Sequence, residues 1–163
     1  MKKKILLHAC CAPCTAGVVG RLKKELDVTL FWYNPNIFPK AEHDRRLTEL
    51  MNFCDKQKIR LLVGDYSWEE EYKNWLGLIK GWESEPERGK RCEECYRSRL
   101  EATAMVTAEI NDHHPNEYSY FGTELSISPH KDSDLINKIG QEIGNKIGIE
   151  FYIADFKKND GFK

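Results

Sequence analysis

No stretch of the sequence approaches the roughly 20 apolar residues that a membrane span needs, and there is no internal repeat, low-complexity tract or shift of composition. These absences exclude a membrane-spanning helix, a solenoid and whole-chain disorder, and predict one domain over residues 1–163 with no membrane partner. Net charge is missing as well. The 25 Lys and Arg stand against 26 Asp and Glu, a balance of −1, so a nucleic acid would have to be held by local basic patches. The start Met1-Lys2-Lys3-Lys4 meets cysteines within a few residues and offers no signal-peptide core or cleavage site, which predicts a cytoplasmic protein. With 163 residues, 40% of them hydrophobic, the chain can bury about two thirds of its unfolded surface and needs no disulfide staples.

Cysteine is abundant instead, six residues unevenly placed. Three lie in His8-Ala9-Cys10-Cys11-Ala12-Pro13-Cys14, two in Cys92-Glu93-Glu94-Cys95, and Cys54 stands apart. In a reducing compartment such clusters argue for metal binding or redox chemistry more than for structural disulfides.

Short apolar runs alternate with amphipathic ones, the pattern of βα units around a mostly parallel five-stranded sheet flanked by helices. Strands are expected over 5–8, 28–33, 59–63, 118–123 and 151–154. Helices are expected over 15–25 and 41–56, the second setting Leu47, Leu50, Met51 and Cys54 on one face, so that Cys54 reads as core. Ser67-Trp68-Glu69-Glu70 reads as a capping box, opening a helix whose apolar side is Trp68, Trp75, Leu76 and Ile79. A final helix carries Leu135, Ile139, Ile143 and Ile147 and stops at Gly148. The polar stretch 81–91 reads as a loop delivering Cys92 to the start of a helix through Tyr96, Leu100 and Ala104.

Cys10, Cys11 and Cys14 then fall where a strand feeds a helix, at the strand end where α/β folds bind ligands. Amides at a helix start favour thiolate as nucleophile or metal ligand. One such cysteine could be a small buried hydrophobe, but three in five positions are poorly explained that way. A lone Cys-x-x-Cys could be half a zinc site or a redox dithiol. Together the two groups could supply the four ligands of an iron-sulfur cluster with one thiol to spare.

The sequence resembles the cobalamin-independent epoxyqueuosine reductases. The likeness rests on His8-Ala9-Cys10-Cys11-Ala12-Pro13-Cys14 after the first strand and on Arg91-Cys92-Glu93-Glu94-Cys95-Tyr96-Arg97-Ser98-Arg99-Leu100. It extends to Gly122-Thr123-Glu124-Leu125-Ser126-Ile127-Ser128-Pro129-His130-Lys131 and Asp155-Phe156-Lys157-Lys158, so it covers nearly all the chain. The resemblance implies an adenine nucleotide α-hydrolase-like (Rossmann-like) fold. It implies an activity too, the two-electron reduction of the epoxide of epoxyqueuosine in a tRNA anticodon loop to the alkene of queuosine. It further implies a 4Fe-4S cluster beside a second, mononuclear metal, iron or zinc, no cobalamin, and an electron donor protein or reductant. Carried over, Cys10, Cys11, Cys92 and Cys95 would hold the cluster and Cys14 would serve the second metal. The departing oxygen needs an acid, for which His8, Tyr96, Glu124 and Asp155 are candidates, with Cys14, Asp155 and Tyr96 as the catalytic set. Substrate contacts are expected from His8, Arg91, Arg97, Thr123, Ser128, His130, Lys131 and Lys157, with Arg88, Lys90, Arg99 and Lys158 as further phosphate-binding cations. The family pattern also has a further helix and a terminal Cys-x-Cys, which are expected to be lacking from the 163 residues.

Rival readings are a thiol-disulfide oxidoreductase using Cys11 and Cys14, a pyrophosphatase-loop tRNA sulfurtransferase and a zinc-stabilised RNA-binding module. The first would need an antiparallel strand pair, the second a glycine-rich cradle after the first strand, and the third would leave a colourless protein.

Overall fold

Alternation along the first strand, β1 (Lys3–Ala9), sends Ile5, Leu7 and Ala9 into one core and Leu6 into another, all of them buried, as a strand covered on both faces requires. The computed structural model describes residues 2–64, 67–84, 89–125 and 132–153. Around β1 lie β2 (Leu26–Trp32), β3 (Arg60–Val63), β4 (Tyr120–Thr123) and β5 (Glu150–Phe151), in the order β3-β2-β1-β4-β5 with every pairing parallel. The expected flanked, parallel five-stranded sheet is therefore present. The antiparallel pair that a thioredoxin-type reading needs is absent among the described residues.

Helices α1 (Ala12–Leu22) and α2 (Lys40–Gln57) cover one face, where Val18, Leu22 and Leu50 meet Ile5, Leu7 and Leu30. Helices α4 (Lys90–His113) and α5 (Ser133–Ile147) cover the other, where Tyr96, Leu100, Ile139 and Ile143 meet Phe121 and Phe151. Cys54 is buried in the first core, as its place on the α2 stripe predicts.

The chain builds outward from β1 to β3 and then returns to the far side of β1 with β4. The sheet therefore changes direction between β1 and β4, and the crevice outside their carboxyl ends is the natural ligand site of such a fold. Ala9 closes β1 and Thr123 closes β4, so the next residues, Cys10 and Glu124, are delivered to that crevice.

Several boundaries differ from the sequence expectation. Helix α1 starts three residues early because Cys11, in extended conformation, is its N-cap and the pre-set φ of Pro13 suits the first turn. Helix α4 starts at Lys90 after Gly89, so Cys92 and Cys95 lie within its first two turns rather than ahead of it. In α3 (Trp68–Leu78) the Ser67 cap forms, its hydroxyl accepting from the Glu70 amide at 3.2 Å. Yet Leu76 is exposed and the buried residue of that helix is Glu71. The rings of Trp68, Tyr72 and Trp75 stack along α3 with Phe38, forming a half-exposed aromatic ladder instead of a core face. Helix α5 ends as expected at Gly148, whose φ of 77° makes the left-handed cap. The last strand is shorter than expected, Glu150–Phe151.

Candidate metal centre

The sulfurs of Cys10, Cys11 and Cys14 lie within 4.8 Å of one another. Cys11 caps α1, and Cys14 follows three residues later, so one turn of helix brings the two sulfurs to the same end of α1. All three residues are partly exposed, which leaves them accessible from the crevice. Cys92 and Cys95 are buried in the first turns of α4, and Cys10 packs against the core to which Cys92 belongs. The structure thus gathers the first three thiols tightly, and the group within 4.8 Å comprises those three without the α4 pair.

Crowding decides the charge state. Hydrogen bonding with Cys10 and Cys14 pulls the Cys11 thiol well below the ordinary thiol range. The bonds to Cys11 and Cys14, together with burial, hold Cys10 protonated well above the ordinary thiol range. At Cys14 the contact with Cys10 acts downward, but the bond to Cys11 and burial outweigh it and push the thiol up to about 12. Without a cation, three sulfurs so close together sustain a single negative charge. A soft cation between them would allow all three to ionise, so the donor set fits a thiolate-bound metal.

A buried carboxylate braces this loop. Glu124, with no exposed surface, accepts the amides of Cys10 at 2.8 Å and Cys11 at 3.4 Å on Oε1. Its own amide donates to the His8 carbonyl at 3.1 Å. Burial pushes its carboxyl up to about 7, against the opposing pull of the Cys10 amide and the Thr15 hydroxyl. The Thr15 hydroxyl lies 2.8 Å from the Cys11 carbonyl and 2.9 Å from both carboxyl oxygens. A protonated Glu124 satisfies every group there, donating to Thr15 while Thr15 donates to Cys11.

His8 is wholly buried, and its Nε2 lies 3.0 Å from the Tyr33 carbonyl, which can only accept. The ring therefore carries its proton on Nε2, and Nδ1 accepts the Thr123 hydroxyl at 3.0 Å, while Thr123 Oγ1 accepts the Leu125 amide at 3.1 Å. Burial and the nearby Arg99 charge lower His8 to about 3, so it stays neutral. His8 and Thr123 are both buried and tie the ends of β1 and β4 together, whereas the sequence expects them at the substrate. Tyr96 is likewise without exposed surface, inside the α4–α5 core. Arg99 is 4% exposed and bonds to Cys95, which corrects its reading as a phosphate-binding surface cation.

Arg91 is half-buried and donates to the Glu83 carbonyl at 3.0 Å. Arg97 pairs with Glu142 at 3.6 Å beside a cleft of about 540 Å³ between α4 and α5, which the cysteines do not line. Asp155, Ser128, His130, Lys131, Lys157, Lys158 and Arg88 lie outside the described residues. Sequence reasoning missed the bracing by Thr15, Asn34 and Arg99. For Arg99 a signal existed, because it occupies a core position in the stripe Cys92, Cys95, Tyr96, Arg99, Leu100, Thr103. Among the described residues no helix is long and apolar enough to cross a membrane.

A family model described as Epoxyqueuosine reductase QueH matches residues 5–163. Curated relatives of that name include the proteins of Staphylococcus epidermidis, 33% identical across 99% of this chain and 67% of the relative, and of Streptococcus pyogenes, 33% identical across 100% of this chain and 62% of the relative. The Thermotoga maritima relative is 30% identical across 98% of this chain and 78% of its own length. The chain thus spans about two thirds of the length of the first two relatives. Among solved structures, a predicted subunit of tRNA methyltransferase from Methanocaldococcus jannaschii aligns with a TM-score of 0.56 at 12% identity, over 94% of this chain and 68% of that one. That likeness concerns the fold alone, a parallel five-stranded sheet flanked by helices. By its matched residues and its relatives, the chain belongs to the epoxyqueuosine reductase QueH family.

Proposed function

We propose that the protein reduces the epoxide of epoxyqueuosine in a tRNA anticodon loop to the alkene of queuosine, consuming two electrons and two protons and releasing water. The observation that carries this reading is the convergence of Cys10, Cys11 and Cys14 within 4.8 Å at the β1–β4 crevice, in a chain of this family. In this reading Cys10, Cys11, Cys92 and Cys95 hold a 4Fe-4S cluster and Cys14 serves a second metal, iron or zinc. When bound, such a pair would supply electrons one at a time and a Lewis-acid position for an oxygen.

The chain's own residues prepare that site. Glu124 and Thr15 fix the backbone of Cys10 and Cys11, so the sulfurs are held before metal arrives. Neutral His8 and Thr123 lock the two strand ends that carry them. Asp155 is the carboxyl assigned to protonating the departing oxygen. Arg91, Arg97, Ser128, His130, Lys131 and Lys157 are assigned to the RNA, whose target base must be presented unstacked. An electron donor protein or small reductant closes the cycle.

The test is anaerobic reconstitution with iron and sulfide, a visible spectrum, and incubation with epoxyqueuosine-containing tRNA under a low-potential reductant, followed by nucleoside mass spectrometry. A brown protein with about four irons per chain that converts the nucleoside to one lacking the epoxide oxygen supports the reading. A colourless, zinc-only protein that leaves the nucleoside intact would favour the zinc-stabilised RNA-binding module.

A further inference from the structure

Arg99 is a buried guanidinium, and among the described residues it makes no ion pair with a carboxylate. Its three nitrogens are instead spread over the wall of the site. Nη2 donates to Cys95 Sγ at 2.8 Å, Nε to the Cys95 carbonyl at 3.2 Å, and Nη1 to Asn34 Oδ1 at 3.5 Å. Asn34, itself without exposed surface, donates from Nδ2 to the Ala9 carbonyl at 2.9 Å, next to Cys10. One side chain and one amide therefore connect Cys95 to the end of β1, next to Cys10. A positive charge this far from water is costly unless an anion answers it. The nearest chemistry able to answer is sulfur, because thiols that bind metal do so as thiolates and leave the site anionic.

We propose that Arg99 is a positioning residue of the metal centre, holding the Cys95 sulfur by an N–H···S bond and supplying the positive charge that offsets a set of metal-bound thiolates, with Asn34 tying it to the Cys10 loop. The inference rests on the cysteines binding metal as described above, and goes beyond it in naming what orients and neutralises them. Hydrogen bonds to ligand sulfur set both the retention and the reduction potential of such centres. The fork matters as well as the charge, because one ammonium cannot reach Cys95 Sγ, its carbonyl and Asn34 together.

The experiment uses the full chain reconstituted with iron and sulfide, as wild type, Arg99→Gln and Arg99→Lys. Folding is checked by circular dichroism, and iron loss to a strong ferrous chelator is timed. Arg99→Gln is expected to lose iron about tenfold faster or more and to show a lower midpoint potential, with Arg99→Lys in between. The wild type is also grown with guanidinium-¹⁵N arginine, and pulsed EPR of the reduced protein is expected to show a ¹⁵N coupling to the cluster spin that Arg99→Lys lacks. That measurement decides the matter if Arg99→Gln fails to fold. Loaded wild type without the ¹⁵N coupling, or Arg99→Gln that folds and keeps iron at the wild-type rate and potential, overturns the role of Arg99 and leaves the metal reading standing. Wild type that assembles no cluster overturns both.

Discussion

Glu71 is 7% exposed in the first turn of α3, and burial, with the Glu70 charge beside it, pushes its carboxyl up to about 7 from the usual 4.5. A carboxyl raised in the folded state favours folding least when it must ionise. Below about pH 4.5 it is neutral whether folded or unfolded and has no effect. Between 4.5 and 7 the unfolded chain releases the proton more readily, so the fold loses stability as pH rises, by at most about 3 kcal/mol above pH 7. Glu71→Gln is therefore expected to raise the melting temperature by several degrees at pH 8 and to match wild type at pH 4.5. Equal melting curves at pH 8 would show that the carboxylate finds compensation. A second contrast separates packing from ligation. Cys54 sits in the α2 core, so Cys54→Ala should cost about 1 kcal/mol and keep full iron after reconstitution. Cys92→Ala should lose iron, measured per chain under the same conditions, and equal iron in both variants would remove Cys92 from the ligand set.

Elements of this fold differ in how far their own sequences determine them. Helix α5 is legible because Ile139, Ile143 and Ile147 recur at fourfold spacing and Gly148 stops it, but its glycines carry information that only the packed structure shows. A Cβ at Gly140 would stand 2.5 Å from the Phe151 ring, and one at Gly144 would stand 2.6 Å from the Ile149 carbonyl. Both keep α5 close to β5. Gly20, in α1, has nothing within 4 Å of the same atom. Helix propensity alone favours alanine at each by up to about 1 kcal/mol, and the prediction is that the signs split. Gly20→Ala should stabilise by about 0.5–1 kcal/mol in urea denaturation, whereas Gly140→Ala should destabilise by about 1–3 kcal/mol through overpacking. Stabilisation by both would mean that Phe151 moves aside freely. The same limit governs the site. Five of the six cysteines declared themselves by spacing, and the Ser67 cap by its local pattern, because both are short-range signals. The His8–Thr123 bond joins residues 115 apart, and the Arg99–Asn34 bond joins residues 65 apart, so each depends on which elements become neighbours in the fold. Leu76 departs from its local pattern for a related reason, since α3 turns its aromatic ladder along Phe38 and leaves Leu76 outside.

At the scale of the whole molecule, the cysteines reach both layers. Cys14 packs with the α1–α2 core and Cys92 with the α4–α5 core, while the sheet runs between. A metal centre shared by the two groups would span the crevice at the carboxyl ends of β1 and β4 and join the layers where the sheet itself leaves them separate. Ligand bound only by the folded state adds stability by mass action, about 4 kcal/mol at a thousandfold excess over the dissociation constant. For a chain of this length that corresponds to about 10 °C in melting temperature. Removing metal with chelator is therefore expected to lower the melting temperature by about that amount, and hydrogen exchange should locate the change. Amides in the first turns of α1 and α4 should lose protection together. Those of α2 and β3, on the far side of β1 from β4, should hardly change. Loss of protection confined to α1 would mean that the centre is built on Cys10, Cys11 and Cys14 alone, with the α4 cysteines left in the core.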